Sequence, residues 1–217
     1  MTASAVHTPW TVDVVDDLQI PGWFYVPAGM SATEESAWLA ACLDELPTAI
    51  GTAGLDGAEL GPEDVLPILR EALEVRSTSP SHGIFQVWPT RAPAAVTCHI
   101  TILARADAPR WTELDAVVHA IEAPHIGPGL QCSIRGTVDR DGVSIETASV
   151  HLVFDDGETT LMLSINESVA ALVALALPGL VALMESIRLV GPEGASFRSR
   201  APSGIVEDPP WQIEEDR

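Results

Sequence analysis

The stretch "NESVAALVALALPGLVALMESIRLV", residues 166–190, is the most apolar part of the chain and carries no charge between Glu167 and Glu185. Its reading decides the architecture, because such a segment either crosses a bilayer or forms the buried helix of a globular domain. The uncharged run is 17 residues long, at the lower edge of what a hydrocarbon core requires, and Pro178-Gly179 sits at its centre. Arg188 is the only cation near it, so no positive cluster sets an orientation. Asn166 as N-cap, Glu167 near the positive end of the helix dipole and Arg188 near the negative end describe a helix of a globular domain, kinked at Pro178. With Ala170, Ala171, Ala174 and Ala176 among Leu172, Leu175 and Leu177, it is apolar nearly all round and requires cover on more than one side. The N-terminal "MTASAVHTPW" lacks the cationic start and apolar core of a secretory signal, so the expectation is a cytoplasmic chain without membrane insertion.

Composition narrows the function classes. A net charge of −20 over 217 residues argues against nucleic acid and anionic lipid, both of which need clustered cations. All 11 basic residues are arginine, which excludes a Schiff-base, P-loop or general-base lysine. Cys42, Cys98 and Cys132 lie far apart in apolar contexts, with neither the spacing of a zinc site nor a disulfide framework, and read as buried thiols in a reducing compartment.

Working outward from the apolar helix, the segments before it are "LQCSIRGTV", "VSIETASVHLVF" and "TTLMLSI", separated by "DRDG" and "DDGE". Asp-Gly at both junctions predicts a three-strand antiparallel meander, and hairpin chemistry explains these aspartates without calcium. Further upstream, "RWTELDAVVHAIEA" reads as an amphipathic helix, while "IFQVW" and "AAVTCHITILAR" read as strands. "SATEESAWLAACLDELP" is a helix with a Ser31/Glu34 capping box, ended by Pro47. A second helix starts at Pro62, with Leu66, Leu69 and Leu73 facing inward, after a glycine-rich connection from Gly51 to Gly61. "TVDVVDDLQIPGWFYVPAG" supplies one or two short strands near the start. The expected organisation is a flexible arm (1–11), one α+β domain (12–190) in which helices cover an antiparallel sheet, and a disordered acidic tail (191–217) rich in Pro, Gly and Ser.

A meander ending in "TTLMLSINES", an apolar helix with a central proline and the closing "LMESIRLV" resembles the C-terminal half of PsbP/Mog1-like sandwich domains, and "WFYVPAGM" is similar to their opening strand. The resemblance spans roughly residues 20 to 190 and departs from the family pattern in the two-helix insertion between residues 31 and 75. It implies a sandwich of helices on a sheet and a function in ligand, chaperone or partner binding, with no catalytic residues to carry over.

Strand alternation nominates the site residues. His99 and Thr101 fall on the polar side of their strand, Gln131 and Arg135 on that of the next, and His151 on that of the third. If these sides align, one face of the sheet carries His99, Thr101, Gln131, Arg135 and His151, with Arg135 as an anion contact. No carboxylate shares these rows, so neither a metal nor a cofactor is expected. In the tail, Trp211 beside Ile213 fits a short partner-docking segment. No catalytic motif of recognisable spacing occurs. The expected function is therefore a non-catalytic adaptor or dedicated chaperone whose unidentified protein partner, attracted by the acidic surface, is basic. The alternatives are an immunity-type inhibitor of a basic toxin and a small-molecule enzyme using His99, His151 or Arg135.

Overall fold

In the computed structural model, which describes residues 10–14, 18–51 and 61–202, the elements run β1 (Thr11–Val14), β2 (Trp23–Tyr25), α1 (Ala32–Gly51), α2 (Pro62–Thr78), β3 (Gly83–Val87), β4 (Val96–Ala104), β5 (Ala116–Ala123), β6 (Gly127–Arg140), β7 (Val143–Asp155), β8 (Thr159–Val169), α3 (Ala170–Ser186) and β9 (Ile187–Val190). Seven strands form one antiparallel sheet in the order β2-β3-β4-β8-β7-β6-β5, and β1 pairs with β9 in a separate ribbon. The class is mixed α+β, and among the described residues no helix is long and apolar enough to cross a membrane.

The centre of the sheet is the meander that the two Asp-Gly turns predict. Asp141 and Gly142 both have positive φ, 55° and 78°, as a two-residue turn of the primed type requires, and join Arg140 directly to Val143. The sheet then separates two cores. On one side Cys98, Ile100, Leu152, Phe154, Leu161, Leu163 and Ile165 pack against Val173, Ala176, Leu180 and Leu183 of α3. On the other, Phe24, Val26 and Ile84 meet Leu69, Ala72 and Val65 of α2, with Cys42 and Leu46 of α1 closing the layer. Alternation along β3 shows the division, since Ile84 joins the α2 side while Phe85 and Val87 join the α3 side. On α2 the deepest stripe is Val65, Leu69 and Ala72, at helical spacing, and the expected Leu66 and Leu73 flank it half-buried.

Several sequence expectations are corrected. The segment expected as a third helix is a single 3-10 turn at Trp111–Glu113 followed by edge strand β5. Val117, Val118 and Ile121 are β-branched, and all eight residues of β5 pair with β6, so ladder formation overrides a short helical periodicity. Helix α1 continues through Pro47, because a proline forfeits one backbone bond and the turn before it is anchored by buried Cys42 and Leu46. The apolar helix starts at Ala170, not after Asn166. Residues up to Val169 stay in β8, where Thr147 Oγ1 donates to Glu167 Oε1 at 2.7 Å, and Arg188 belongs to β9 rather than to a helix end. Nor is α3 covered all round, since Leu175 is 47% and Val181 40% exposed on its outer side. Residues 191–202 are not a loose tail. Phe197 is buried with its ring 5.6 Å from Trp10, and Ser199 and Arg200 donate backbone hydrogen bonds to Ile126 and Asp155. Trp10 and Thr11 likewise belong to the packed part, whereas Trp211, Ile213 and the connection at residues 52–60 lie outside the described residues.

Candidate functional site

Register brings one row of residues together on the face that carries α1 and α2. His99 of β4 is opposite Ser164 of β8, Ser164 is opposite His151 of β7, and His151 is opposite Cys132 of β6. Ser164 thus lies between the two histidines. His151 Nδ1 is 3.0 Å from Ser164 Oγ and its Nε2 is 3.2 Å from Ser149 Oγ. His99 Nδ1 is 3.0 Å from Ser81 Oγ, which also approaches Thr101 Oγ1 at 3.5 Å. Burial lowers both imidazole pKa values by penalising the cation, and for His99 the Arg76 guanidinium lowers it further. Both rings are therefore biased toward the neutral form, each held by serine hydroxyls.

A cleft of about 1000 Å³, which the row itself does not line, lies at the end of the sheet where β4 and β7 finish and β6 begins. Its floor includes Leu130 and Val153, which pair across β6 and β7 on the same face as His151. Trp111 forms a wall, its ring centroid 5.0 Å from that of His151 with the planes tilted by 37°. Three arginines complete the rim. Arg105 Nη1 lies 3.3 Å from Asp155 Oδ1, Arg110 Nη1 lies 2.9 Å from Glu113 Oε1, and both pairs are solvent-exposed enough to count for little. Arg200 has no ion pair among the described residues. Its guanidinium lies over Gly157, where an added Cβ would meet Nη1 at 2.9 Å and where φ is +102°, so glycine serves both the turn and the arginine's seat. In a chain of net charge −20, the cleft thus gathers three guanidiniums with the carboxylates of Asp155 and Glu158 beside an aromatic wall, a local excess of positive charge.

The five sheet residues nominated from sequence do not share a face. His99, Thr101 and His151 do, but Gln131 is opposite Leu152 and Arg135 opposite Ala148, which puts both on the α3 side. The polar alternation holds within each strand, and the alignment of β6 with β7 differs from the expected one by one residue. A two-residue turn pairs Arg140 with Val143, and eight steps back along each strand place Cys132, not Gln131, opposite His151. Arg135 is exposed on the outer part of the β6–β7 hairpin, and His119, opposite Gln131, shares that side.

Trp111, Ser164, Arg105, Arg110 and Arg200 were missed. Trp111 was hidden by the helix reading, and Arg200 by the assignment of residues after 190 to a tail. No group of three or more metal-ligating side chains occurs among the described residues. All three cysteines are free and buried; burial pushes the thiols of Cys42 and Cys132 up to about 12 and that of Cys98 higher still. No protein-family profile matches the chain, and no curated protein matches it.

Proposed function

We propose that this chain is a non-catalytic binding protein of the cytoplasm, an adaptor or dedicated chaperone, which receives a carboxylate-bearing segment of a protein partner in the cleft between Trp111 and Arg200. The observation that carries this reading is the joining of an aromatic wall, an apolar floor and three guanidiniums, which outnumber the lining carboxylates Asp155 and Glu158, in one concavity of a strongly acidic chain. A partner side chain can stack on Trp111 over Leu130 and Val153 while a carboxylate meets Arg200, which makes no ion pair among the described residues. The acidic exterior steers a partner with a basic body toward this site. The histidine row supports binding over catalysis. Each ring is fixed by hydroxyl groups, not by the carboxylate that usually orients a general base, and the row serves as a rigid polar spine behind Trp111. The likeness of the last strand and helix to PsbP/Mog1-like domains favours the same class of function.

The test is fluorescence polarisation with labelled acidic peptides that end in an apolar residue. Saturable binding is expected, with a loss of about tenfold or more in Arg200→Glu and in Trp111→Ala. Unchanged binding in both variants sinks the proposal. So does turnover of a small substrate that disappears in His99→Ala or His151→Ala.

A further inference from the structure

We infer that the chain has a second, independent binding site on the opposite face of the sheet, and that it takes a small uncharged apolar molecule with a ring system. A cavity of about 540 Å³ lies between strand β1 and the edge strands β2 and β3, with Ile100 of β4 among its lining residues. That volume falls within the range of small-molecule sites and is too small for a folded partner.

The lining states the ligand's chemistry. None of the twelve lining residues is Asp, Glu or Arg, although charged residues make up 19% of the chain. The one titratable imidazole of the lining, His82, accepts a hydrogen bond from Ile102 N at Nδ1 (3.2 Å), so a charged ligand entering here would lose its hydration with no opposite charge among the described residues to replace it. The walls are Val12 and Val14 on one side and Trp23 and Phe85 on the other, with Leu18 and Ile20 completing the enclosure. All six are only half-buried, so apolar surface is left facing the cavity and not a neighbour. An apolar guest covers that surface, which is the driving force for its entry.

The aromatic wall is shaped for a ring. Phe85 stands 5.9 Å from Trp23 at 57° and 5.5 Å from Tyr25 at 65°, presenting both edges and faces. The wall is also preformed. Trp23 packs against the backbone of α3 at Gly179, where any Cβ would strike the indole. Trp10, which also lines the cavity, is held edge-on to Phe197 at 5.6 Å. The space itself depends on Gly83, where a Cβ would come within 3.2 Å of Ile100 Cδ1. The lining offers the hydroxyls of Thr11 and Tyr25 and the imidazole of His82 for one or two polar contacts.

The experiment titrates the full chain with 1-aminoanthracene, a neutral fluorescent molecule of three fused rings. A saturable one-to-one rise in probe emission is expected. Val12→Trp and Val14→Trp, which place bulk into the cavity from a half-exposed strand, should each weaken binding by about tenfold or more. Trp111→Ala should leave probe binding unchanged, which separates this site from the cleft on the other face. The inference is overturned if there is no saturable binding. It is equally overturned if both filled variants bind as well as the parent chain, which would mark surface adsorption. Tighter probe binding in full-length Trp211→Ala would show that the C-terminal segment fills the cavity, and overturns it too.

Discussion

Helix α3 offers the sharpest test of the packing, because Leu180 and Leu175 lie on the same helix and differ chiefly in what faces them. Leu180 is 0% exposed in the core beneath the sheet, whereas Leu175 is 47% exposed. Truncating a buried leucine costs about 2–5 kcal/mol through lost transfer energy and the cavity left behind. Aspartate adds the cost of placing a carboxyl group in an apolar core. If it escapes by staying protonated at neutral pH, raising its pKa by about 3 units costs roughly 4 kcal/mol. Leu180→Asp should therefore remove about 6–9 kcal/mol, comparable to the whole stability of a typical domain. Leu175→Asp forfeits about half the burial of one side chain, roughly 1 kcal/mol, and some helix propensity, about 0.5 kcal/mol. Urea unfolding followed by tryptophan emission measures both. The expected result is a modest shift of midpoint for Leu175→Asp and a chain largely unfolded without denaturant for Leu180→Asp. Equal damage from the two substitutions would refute the one-sided burial of α3 and show that its outer face is covered as well.

Stability should also fall on mild acidification. The folded pKa values of His99 and His151 lie below the ordinary value of 6.5, so their contribution is complete above that pH. As pH drops, the unfolded chain takes up protons first and stability is lost toward the folded-state pKa; urea midpoints between about pH 7.5 and about pH 5.5 should decline, and less steeply in a His99→Gln, His151→Gln double variant. The native chain should be silent toward a disulfide thiol reagent, since its three thiols are buried with raised pKa values, and should release three equivalents once unfolded in guanidinium. Rapid reaction of any one of them in the native state would contradict its burial.

Much of the fold was legible because its strongest signals are local. The Asp141-Gly142 turn needs positive φ at two successive residues, and few dipeptides supply that. The capping box at Ser31 is equally local; Ser31 N donates to Glu34 Oε2 at 2.7 Å and Glu34 N to Ser31 Oγ at 3.4 Å. The misread elements are those decided at a distance. Residues 116–123 have enough helical spacing to suggest a helix, but β6 presents an unpaired edge to them and the ladder wins. Residues 166–169 would cap a helix well in isolation, yet β7 extends far enough to pair Val169 with Thr147, and the strand persists.

The site was less legible than the fold for a related reason. Alternation along one strand shows which residues share a side, but only register shows which sides of different strands coincide. For β6 and β7 that register was within reach, since the two-residue turn puts Cys132 opposite His151 and sends Gln131 and Arg135 to the other face. For β4 and β7 it was not. They are neighbours only through β8, so the placement of His99 and His151 on either side of Ser164 depends on two successive registers, one of them shifted by a bulge between Ala148 and Val150. The arginines lay further out of reach. Arg105 follows β4, Arg110 precedes β5, and Arg200 arrives from beyond β9. The topology assembles them at one end of the sheet from segments almost a hundred residues apart, so no spacing along the chain could announce them. What could have drawn attention was scarcity. Arginine supplies every cation in a chain of net charge −20, and such residues gather where an anion is to be met or where the acidic surface must be neutralised. Arg105 and Arg110 each face a carboxylate at ion-pair distance, whereas Arg200, seated over Gly157, makes no ion pair among the described residues, although Asp156 and Glu158 line a pocket with it. The substitution that separates the two roles is therefore Arg200→Glu, and its effect should appear in binding and not in stability.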